Sequence, residues 1–364
     1  MTVTDQPVVT SNRNRAFHTL TVSDVESLCD DAVVVTFDVP DDLQNEFHFL
    51  PGQSLMLSRT VDGVEHRRSY SICAAAGTRP RVGVREVTNG LFSSWLVHEV
   101  RAGDKIDVQG PSGNFHADPA AGGRHVLIAA GSGITPMLSI AASMLANPDA
   151  EVILLYGNRR TRSVMFAEEI ADLKDQYGAR FDIIHVLSRE PREVELFSGR
   201  LDAERLKDIL NTVVPTPDID HFWLCGPFGM VNDAQEVLTG LGVENSQIHH
   251  ELFYVDDVPP PQEKHREPGV TGPSSEVTIT LDGRSVTGTL PQDESILDSA
   301  EQLRSDLPFA CKGGVCGTCR AKVTLGDVDM RRNYALEDNE IAAGFVLTCQ
   351  TFPVSDAVTV DFDA

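Results

Sequence analysis

A chain of 364 residues, 41% hydrophobic with 28 glycines and 20 prolines, is too long for one core and reads as two or three loop-rich folded domains. Its 54 acidic residues against 30 basic ones give a formal charge of −24, which argues against a nucleic-acid partner, because phosphate binding needs a basic surface. No apolar run reaches the roughly 18 residues that cross a bilayer. Residues 1–14 are polar without an apolar signal core, so a soluble, cytoplasmic protein with no membrane partner is expected.

Residues 1–15 show no periodicity and read as a tail. From Phe17 to about Phe115, short β runs such as 32–37, 54–57 and 81–85 alternate with turns, the pattern of a small antiparallel barrel. Arg68, Ser69, Tyr70 and Ser71 stand in one of these runs. Residues two apart share a strand face, so Arg68 can meet a phosphate while Tyr70 packs on a planar cofactor. Downstream, Arg85 precedes Gly90-Leu91-Phe92-Ser93, a small-residue turn opening an expected helix over 93–99, and a helix N-terminus of that kind suits a pyrophosphate.

At His125 the period changes. His125–Ala130 is a continuous apolar strand, Gly131-Ser132-Gly133 a turn, and Thr135-Pro136 the expected N-cap and first residue of a helix reaching Ala146. Strands over 151–156, 181–187, 221–225 and 247–253 alternate with helices over 164–174, 202–210 and 229–241, which spells a doubly wound parallel sheet with its ligand site at the strands' carboxyl ends. The turn lacks the third glycine of the usual dinucleotide fingerprint. Residues 255–275, with five prolines among charged residues, read as a semi-extended linker. A hairpin over 276–290, a helix from Glu294 to about Arg304 and a last strand over 357–361 follow.

The densest signal is Cys311-Lys312-Gly313-Gly314-Val315-Cys316-Gly317-Thr318-Cys319, completed by Cys349 after 29 residues. This spacing is that of a plant-type [2Fe-2S] site, where one loop gives three thiolates and a distant segment the fourth. Gly313, Gly314 and Gly317 are expected to take positive φ and approach the cluster closely, so that peptide N–H groups point at its inorganic sulfides. A zinc knuckle is the alternative, but structural zinc sites pair two short Cys-x-x-Cys hooks and this chain offers one. The other cysteines, Cys29, Cys73 and Cys225, are odd in number and form no disulfide framework, as in a reducing cytoplasm.

Taken in order, these groups resemble the ferredoxin-NADP reductase superfamily over residues 17–364, and within it the oxygenase reductases that end in a plant-type ferredoxin. A closer resemblance, to the branch serving phenylacetyl-CoA epoxidation, rests on Tyr156–Arg159, Ser163–Glu169, Asp293–Asp298, the cysteine loop and Val358–Asp363. The resemblance implies a multidomain fold: an antiparallel β-barrel for FAD (17–118), an α/β doubly wound parallel sheet for NADPH (119–255), the linker (256–274) and an α+β β-grasp ferredoxin domain (275–364). It assigns Arg68, Tyr70 and Ser71 to the flavin phosphate, ring and N5 edge, and Ser69, Arg85, Gly90, Leu91, Phe92 and Ser93 to other FAD contacts. Gly131, Gly133, Thr135 and Pro136 become the pyridine-nucleotide loop. Cys225-Gly226-Pro227 places a thiol by the nicotinamide, with Glu251 and Phe253 approaching from the next strand, so that Cys225, Ser71 and Glu251 form the implied catalytic set. Arg159, Ser188 and Arg189 at strand ends favour the 2′-phosphate of NADPH over NADH. The adjacent pair His249-His250 is not read as a metal site, because neighbours on a strand face opposite ways.

The implied function is electron delivery from NADPH through FAD and [2Fe-2S] to the oxygenase component of a multicomponent monooxygenase. A steroid, alkane or amine monooxygenase is an alternative partner, and an iron–sulfur redox sensor the alternative from another class. Residues 276–363 hold fifteen acidic residues against seven basic ones, a net of −8, which points to docking on a basic surface.

Overall fold

The computed structural model describes residues 16–254 and 272–364, except 89, 215, 305 and 337. It divides into two compact units, Phe17–Val258 and one that contains Pro259–Ala364. The expected tail and the expected linker up to residue 271 lie outside the described residues, and the last linker position, Ser274, already opens a strand.

The first unit begins with β1 (Phe17–Cys29), β2 (Ala32–Asp38), β3 (Ser54–Val61), β4 (Val64–Ser71), β5 (Arg81–Arg85), the helix α1 (Leu91–His98) and β6 (Lys105–Ser112). Asp62 and Gly63 both take positive φ, 51° and 82°, the backbone of a two-residue turn matched to strand twist, and this makes β3 and β4 a hairpin. The strand order is β4-β3-β6-β1-β2-β5, and a bridge from Ile72 to Val82 curls the two edges together. Leu20, Phe37, Leu55, Leu57, Ile72, Leu96 and Ile106 fill the interior. The expected barrel is present. Its helix starts two residues earlier than expected, because Ser93 does not begin it: the Ser93 Oγ accepts the Val87 N–H at 3.0 Å and tightens the turn behind Gly90.

The parallel sheet follows with β7 (Gly123–Ala130), α2 (Ile134–Leu145), β8 (Ala150–Asn158), α3 (Ala167–Tyr177), β9 (Phe181–Leu187), α4 (Ala203–Thr212), β10 (His221–Pro227), α5 (Phe228–Gly240) and β11 (Ile248–Tyr254). The order is β11-β10-β7-β8-β9, so the chain reverses its direction of travel between β7 and β10, where ligands of such sheets bind. Thr135 is not the N-cap of α2. The helix starts at Ile134 behind Gly133, and the Thr135 hydroxyl donates to Ser132 O at 3.0 Å inside the first turn. Asp202 does cap α4, accepting the Arg205 N–H at 3.1 Å.

The second unit holds β12 (Ser274–Leu281), β13 (Arg284–Pro291), α6 (Ile296–Ala300), β14 (Arg320–Leu325), β15 (Val328–Met330), α7 (Asp338–Ala342), β16 (Phe345–Leu347), β17 (Thr351–Pro353) and β18 (Ala357–Asp361). The main sheet runs β13-β12-β18-β14-β16, with β12 and β18 parallel and α6 packed against it, a β-grasp arrangement. Asp282 and Gly283, at φ 53° and 68°, turn the expected hairpin. The expected helix over 294–304 ends at Ala300. Beyond it Leu303 covers Gly288, and the Arg304 side chain donates from Nη1 to Leu281 O and Arg284 O at 3.0 Å each.

Near the amino ends of three adjacent strands, one face of the parallel sheet carries His125, His221 and His249. His125 stacks on His221 at 5.5 Å and 16°, His221 Nδ1 lies 3.2 Å from His249 Nε2, and Trp223 stacks on His249 at 4.2 Å. Burial first, then the imidazoles of His221, His125, His250 and His116, push His249 down from 6.5 to about 4. A histidine depressed in the folded state stabilises it above the unfolded value, and that contribution disappears as pH falls toward the folded one. The urea midpoint of the chain is therefore expected to fall as pH drops from 6.5 to about 4, and His249→Gln to flatten that slope. A slope that His249→Gln leaves unchanged would remove the ladder as its cause.

Candidate functional site

Barrel and parallel sheet meet within the first unit. Ser71, the last residue of β4, is 4% exposed and donates from Oγ to Glu251 Oε2 of β11 at 3.1 Å. Glu251 is in register with Cys225 of β10, which is in turn in register with Ala129 of β7. The structure thus gathers Ser71, Cys225 and Glu251, residues 71, 225 and 251 in the sequence, at the point where the parallel strands reverse order. Burial raises the Glu251 carboxyl to about 7 although the Ser71 hydrogen bond opposes the rise. Near neutrality this carboxyl both holds and releases a proton, with a hydroxyl in contact to pass it on. Burial, followed by the Glu251 charge, drives the Cys225 thiol well above its ordinary range, so Cys225 is a neutral, polarizable group and not a nucleophile.

Along β4 the neighbours differ in role. Arg67 is tied to Glu65 at 2.8 Å, whereas half-buried Arg68 donates to Arg67 O at 2.7 Å and has no salt bridge among the described residues. A half-buried guanidinium with that freedom suits a phosphate. Tyr70 leans on Phe92 of α1 at 6.1 Å, and Phe92 meets Trp95 edge-on at 5.4 Å, so an aromatic wall stands beside the arginine. The Ser69 hydroxyl instead crosses the hairpin to Ser54 Oγ at 2.8 Å. At the α1 end, a Cβ on Gly90 would lie 2.5 Å from Ser93 Oγ, and Leu91 is exposed. These residues fit a flavin dinucleotide: a cation for phosphate, a ring to lie against, and a hydroxyl at the crevice.

Arg85 takes a different position from the others. Its guanidinium reaches Asp31 Oδ1 at 3.2 Å, Cys29 Sγ at 3.5 Å and the carbonyl of Ser163, so it fastens the barrel to the loop before α3. On the nucleotide side, Gly131 has φ 56° and Gly133 touches β10 so closely that a Cβ there would lie 2.1 Å from Cys225 O. Thr135 and Pro136 are buried in the first turn of α2. Gly226 and Pro227 end β10, and Phe253 packs on the sheet core. Exposed Arg159 and Arg189 are brought together at the ends of β8 and β9, where Ser188 N donates to Asn158 O and Arg189 N to Arg159 O, both at 2.8 Å.

In the second unit, the four cysteines form two pairs. Cys311 and Cys316 hydrogen-bond to one another, as do Cys319 and Cys349. The second pair is set by Thr348, whose N–H and hydroxyl both donate to Cys319 O, at 3.1 and 3.0 Å. The Gly313 and Cys316 N–H groups point at Cys311 Sγ from 3.3 and 3.4 Å. The Cys316 side chain first, and these peptide groups after it, hold the Cys311 thiol below its ordinary range. Among the described residues no three His, Cys, Asp or Glu side chains close on a single ion. Two thiolate pairs, one per iron, fit a [2Fe-2S] cluster.

Comparison with known proteins agrees with this geometry. Residues 19–117 match the family model of an oxidoreductase FAD-binding domain, 127–236 that of an oxidoreductase NAD-binding domain, and 279–354 that of a 2Fe-2S iron-sulfur cluster binding domain. A component of the 1,2-phenylacetyl-CoA epoxidase of Escherichia coli (strain K12) is 43% identical over 353 residues, which cover 96% of this chain and 98% of that one. The chain belongs to the flavin- and iron–sulfur-containing oxygenase reductases. This reductase is also 31% identical to the ferredoxin reductase component of 3-ketosteroid-9-alpha-monooxygenase from Rhodococcus rhodochrous, across 94% of its own length and 96% of the relative's. A solved phthalate dioxygenase reductase, described as modular for electron transfer from pyridine nucleotides to [2Fe-2S], shares its fold: 22% identity, TM-score 0.58, 95% and 98% covered. The reductase is an NAD(P)H-dependent oxidoreductase that moves electrons through FAD to a [2Fe-2S] cluster. No helix among the described residues is long and apolar enough to cross a membrane.

Four groups of the site lay outside the sequence reading: the Arg81–Glu169 ion pair between β5 and α3, the use of Arg85 as a fastener, and the contacts of Lys312 and Gln350 behind the cysteine loop. Only the charge complementarity of Arg81 and Glu169 was visible, without a register to join them. The close approach at Gly133 gives a direct check. Gly133→Ala must separate α2 from β10 and is expected to lower unfolding free energy by about 1–3 kcal/mol or more. Gly240→Ala, with no atom within 4 Å of the added methyl, is expected to be neutral or stabilising by urea unfolding. Equal stability of the two variants would contradict the approach.

Proposed function

We propose that this reductase supplies electrons from NADPH to the oxygenase component of a phenylacetyl-CoA epoxidase. The observation that carries the choice of partner is the 43% identity to a component of such an epoxidase, sustained over all three domains. The 31% identity to a ketosteroid monooxygenase component keeps a second oxygenase as the alternative.

The bound FAD would supply hydride acceptance from the nicotinamide and one-electron release toward the cluster. The chain's own groups have the following roles. Arg68 holds the flavin's phosphate and Tyr70 lies against its ring. Ser71 presents its hydroxyl at the reacting edge, and Glu251 holds or releases the proton at Oε2 that Ser71 Oγ shares. Cys225 and Phe253 pack the nicotinamide from β10 and β11, while Gly131 and Gly133 let its pyrophosphate approach the backbone. Arg159, Ser188 and Arg189 select the 2′-phosphate, which favours NADPH over NADH. Cys311, Cys316, Cys319 and Cys349 would hold the [2Fe-2S] cluster through their thiolates.

The test is anaerobic stopped-flow spectroscopy of Cys316→Ser beside the parent protein, with NADPH and NADH. Flavin reduction by NADPH is expected to remain at the parent rate in Cys316→Ser while reduction of a one-electron acceptor protein is lost. Loss of both would break the division between the two units, and faster reduction by NADH would overturn the nucleotide choice.

A further inference from the structure

The cysteine loop contains one left-handed residue that is not glycine. Gly314 and Gly317 take φ 81° and 67° at no steric cost, but Lys312 takes φ 50° with a full side chain, where an L-residue is disfavoured. Such a conformation persists only when surrounding contacts over-determine it. Around Lys312 they do. Its Nζ lies 3.0 Å from Asp298 Oδ1 in the first turn of α6, 2.5 Å from Glu301 Oε2 just after that helix, and 4.5 Å from the Phe309 ring centre. Its carbonyl accepts from Gln350 Nε2 at 2.8 Å, next to Cys349.

The consequence is directional. A left-handed residue directly after Cys311 turns the following peptides so that the Gly313 and Cys316 N–H groups both reach Cys311 Sγ. We propose that Lys312 is a positioning residue: its ion pairs with Asp298 and Glu301 hold the loop left-handed and thereby keep these two N–H groups on the Cys311 sulfur of the cluster. The inference rests on the [2Fe-2S] site alone, whichever oxygenase receives the electrons. A glycine at 312 would adopt the same backbone but would not be held there, and the sequence, which has glycine at 313, 314 and 317, has lysine at this position.

The latch and a simple charge effect predict opposite signs. Removing a nearby negative charge by itself favours the reduced, more negative cluster and raises its midpoint potential, whereas losing N–H···S hydrogen bonds lowers it. The experiment compares the full-length, cluster-loaded parent with Glu301→Gln, Lys312→Gly and the double variant. It reads the midpoint potential by spectroelectrochemical titration and the rate of cluster bleaching by a chelator. Glu301→Gln is expected to lower the potential and to speed bleaching by about tenfold, the usual scale for an outer contact of a metal site. In the Lys312→Gly background the same change is expected to cause no further fall in potential. A potential that rises or stays level in Glu301→Gln, or falls equally in both backgrounds, would overturn the latch.

Discussion

The chemistry of the first unit depends on how closely the barrel's edge strand approaches the parallel sheet. A Cβ on Gly83 of β5 would lie 2.6 Å from Thr135 and 2.8 Å from Phe166, so the strand seats on α2 and α3 with no intervening side chain of its own. Around that contact the Ser139 hydroxyl donates to Ala74 O at 2.6 Å, the Ala76 N–H to Ser143 Oγ at 2.9 Å, Arg81 pairs with Glu169, and Arg85 reaches the Ser163 carbonyl. Polar groups buried in such a seam cost stability unless each finds its partner, and these have. The seam brings the end of β4 to the ends of β10 and β11, and so Ser71 to Glu251. Two folds that are unremarkable alone acquire a shared crevice.

In the second unit the corresponding constraint is topological. The parallel pairing of β12 with β18 and the hairpin-like pairing of β14 with β16 place the segment after β16 beneath the cysteine loop, and Thr348 fixes it to Cys319. A ligand distant in sequence is delivered by the core formed by Val277, Ile279, Leu297, Leu347 and Val360. The cysteines are therefore paired by the fold, and the loop's own backbone supplies the hydrogen bonds.

Much of this was legible in the sequence where one residue type has one physical use. Strands at 81–85, 181–187 and 357–361 have the bounds their apolar runs imply, and Asp282-Gly283 turns where its left-handed tolerance says it must. Cysteine spacing alone anticipated the cluster. What was not legible depends on register. That His249 and His250 face opposite ways follows from the sequence, but that His249 meets His221 and Trp223 across strands does not. Arg85 reads as one more cation near a cofactor until Asp31 and Ser163 appear beside it. The helix after Glu294 has helical composition to Arg304, yet it runs only over Ile296–Ala300, and that the Arg304 side chain reaches the hairpin carbonyls of Leu281 and Arg284 is not written in the local sequence.

Ser71 and Glu251, brought into contact by the seam, are placed to handle one proton together. A double-mutant cycle with Ser71→Ala and Glu251→Gln, reading the anaerobic rate of flavin reduction by NADPH, tests it most directly. The double variant is expected to be little slower than the slower single one, with a coupling energy of about 0.5–3 kcal/mol as for contacting residues. Rate losses that multiply independently would contradict it.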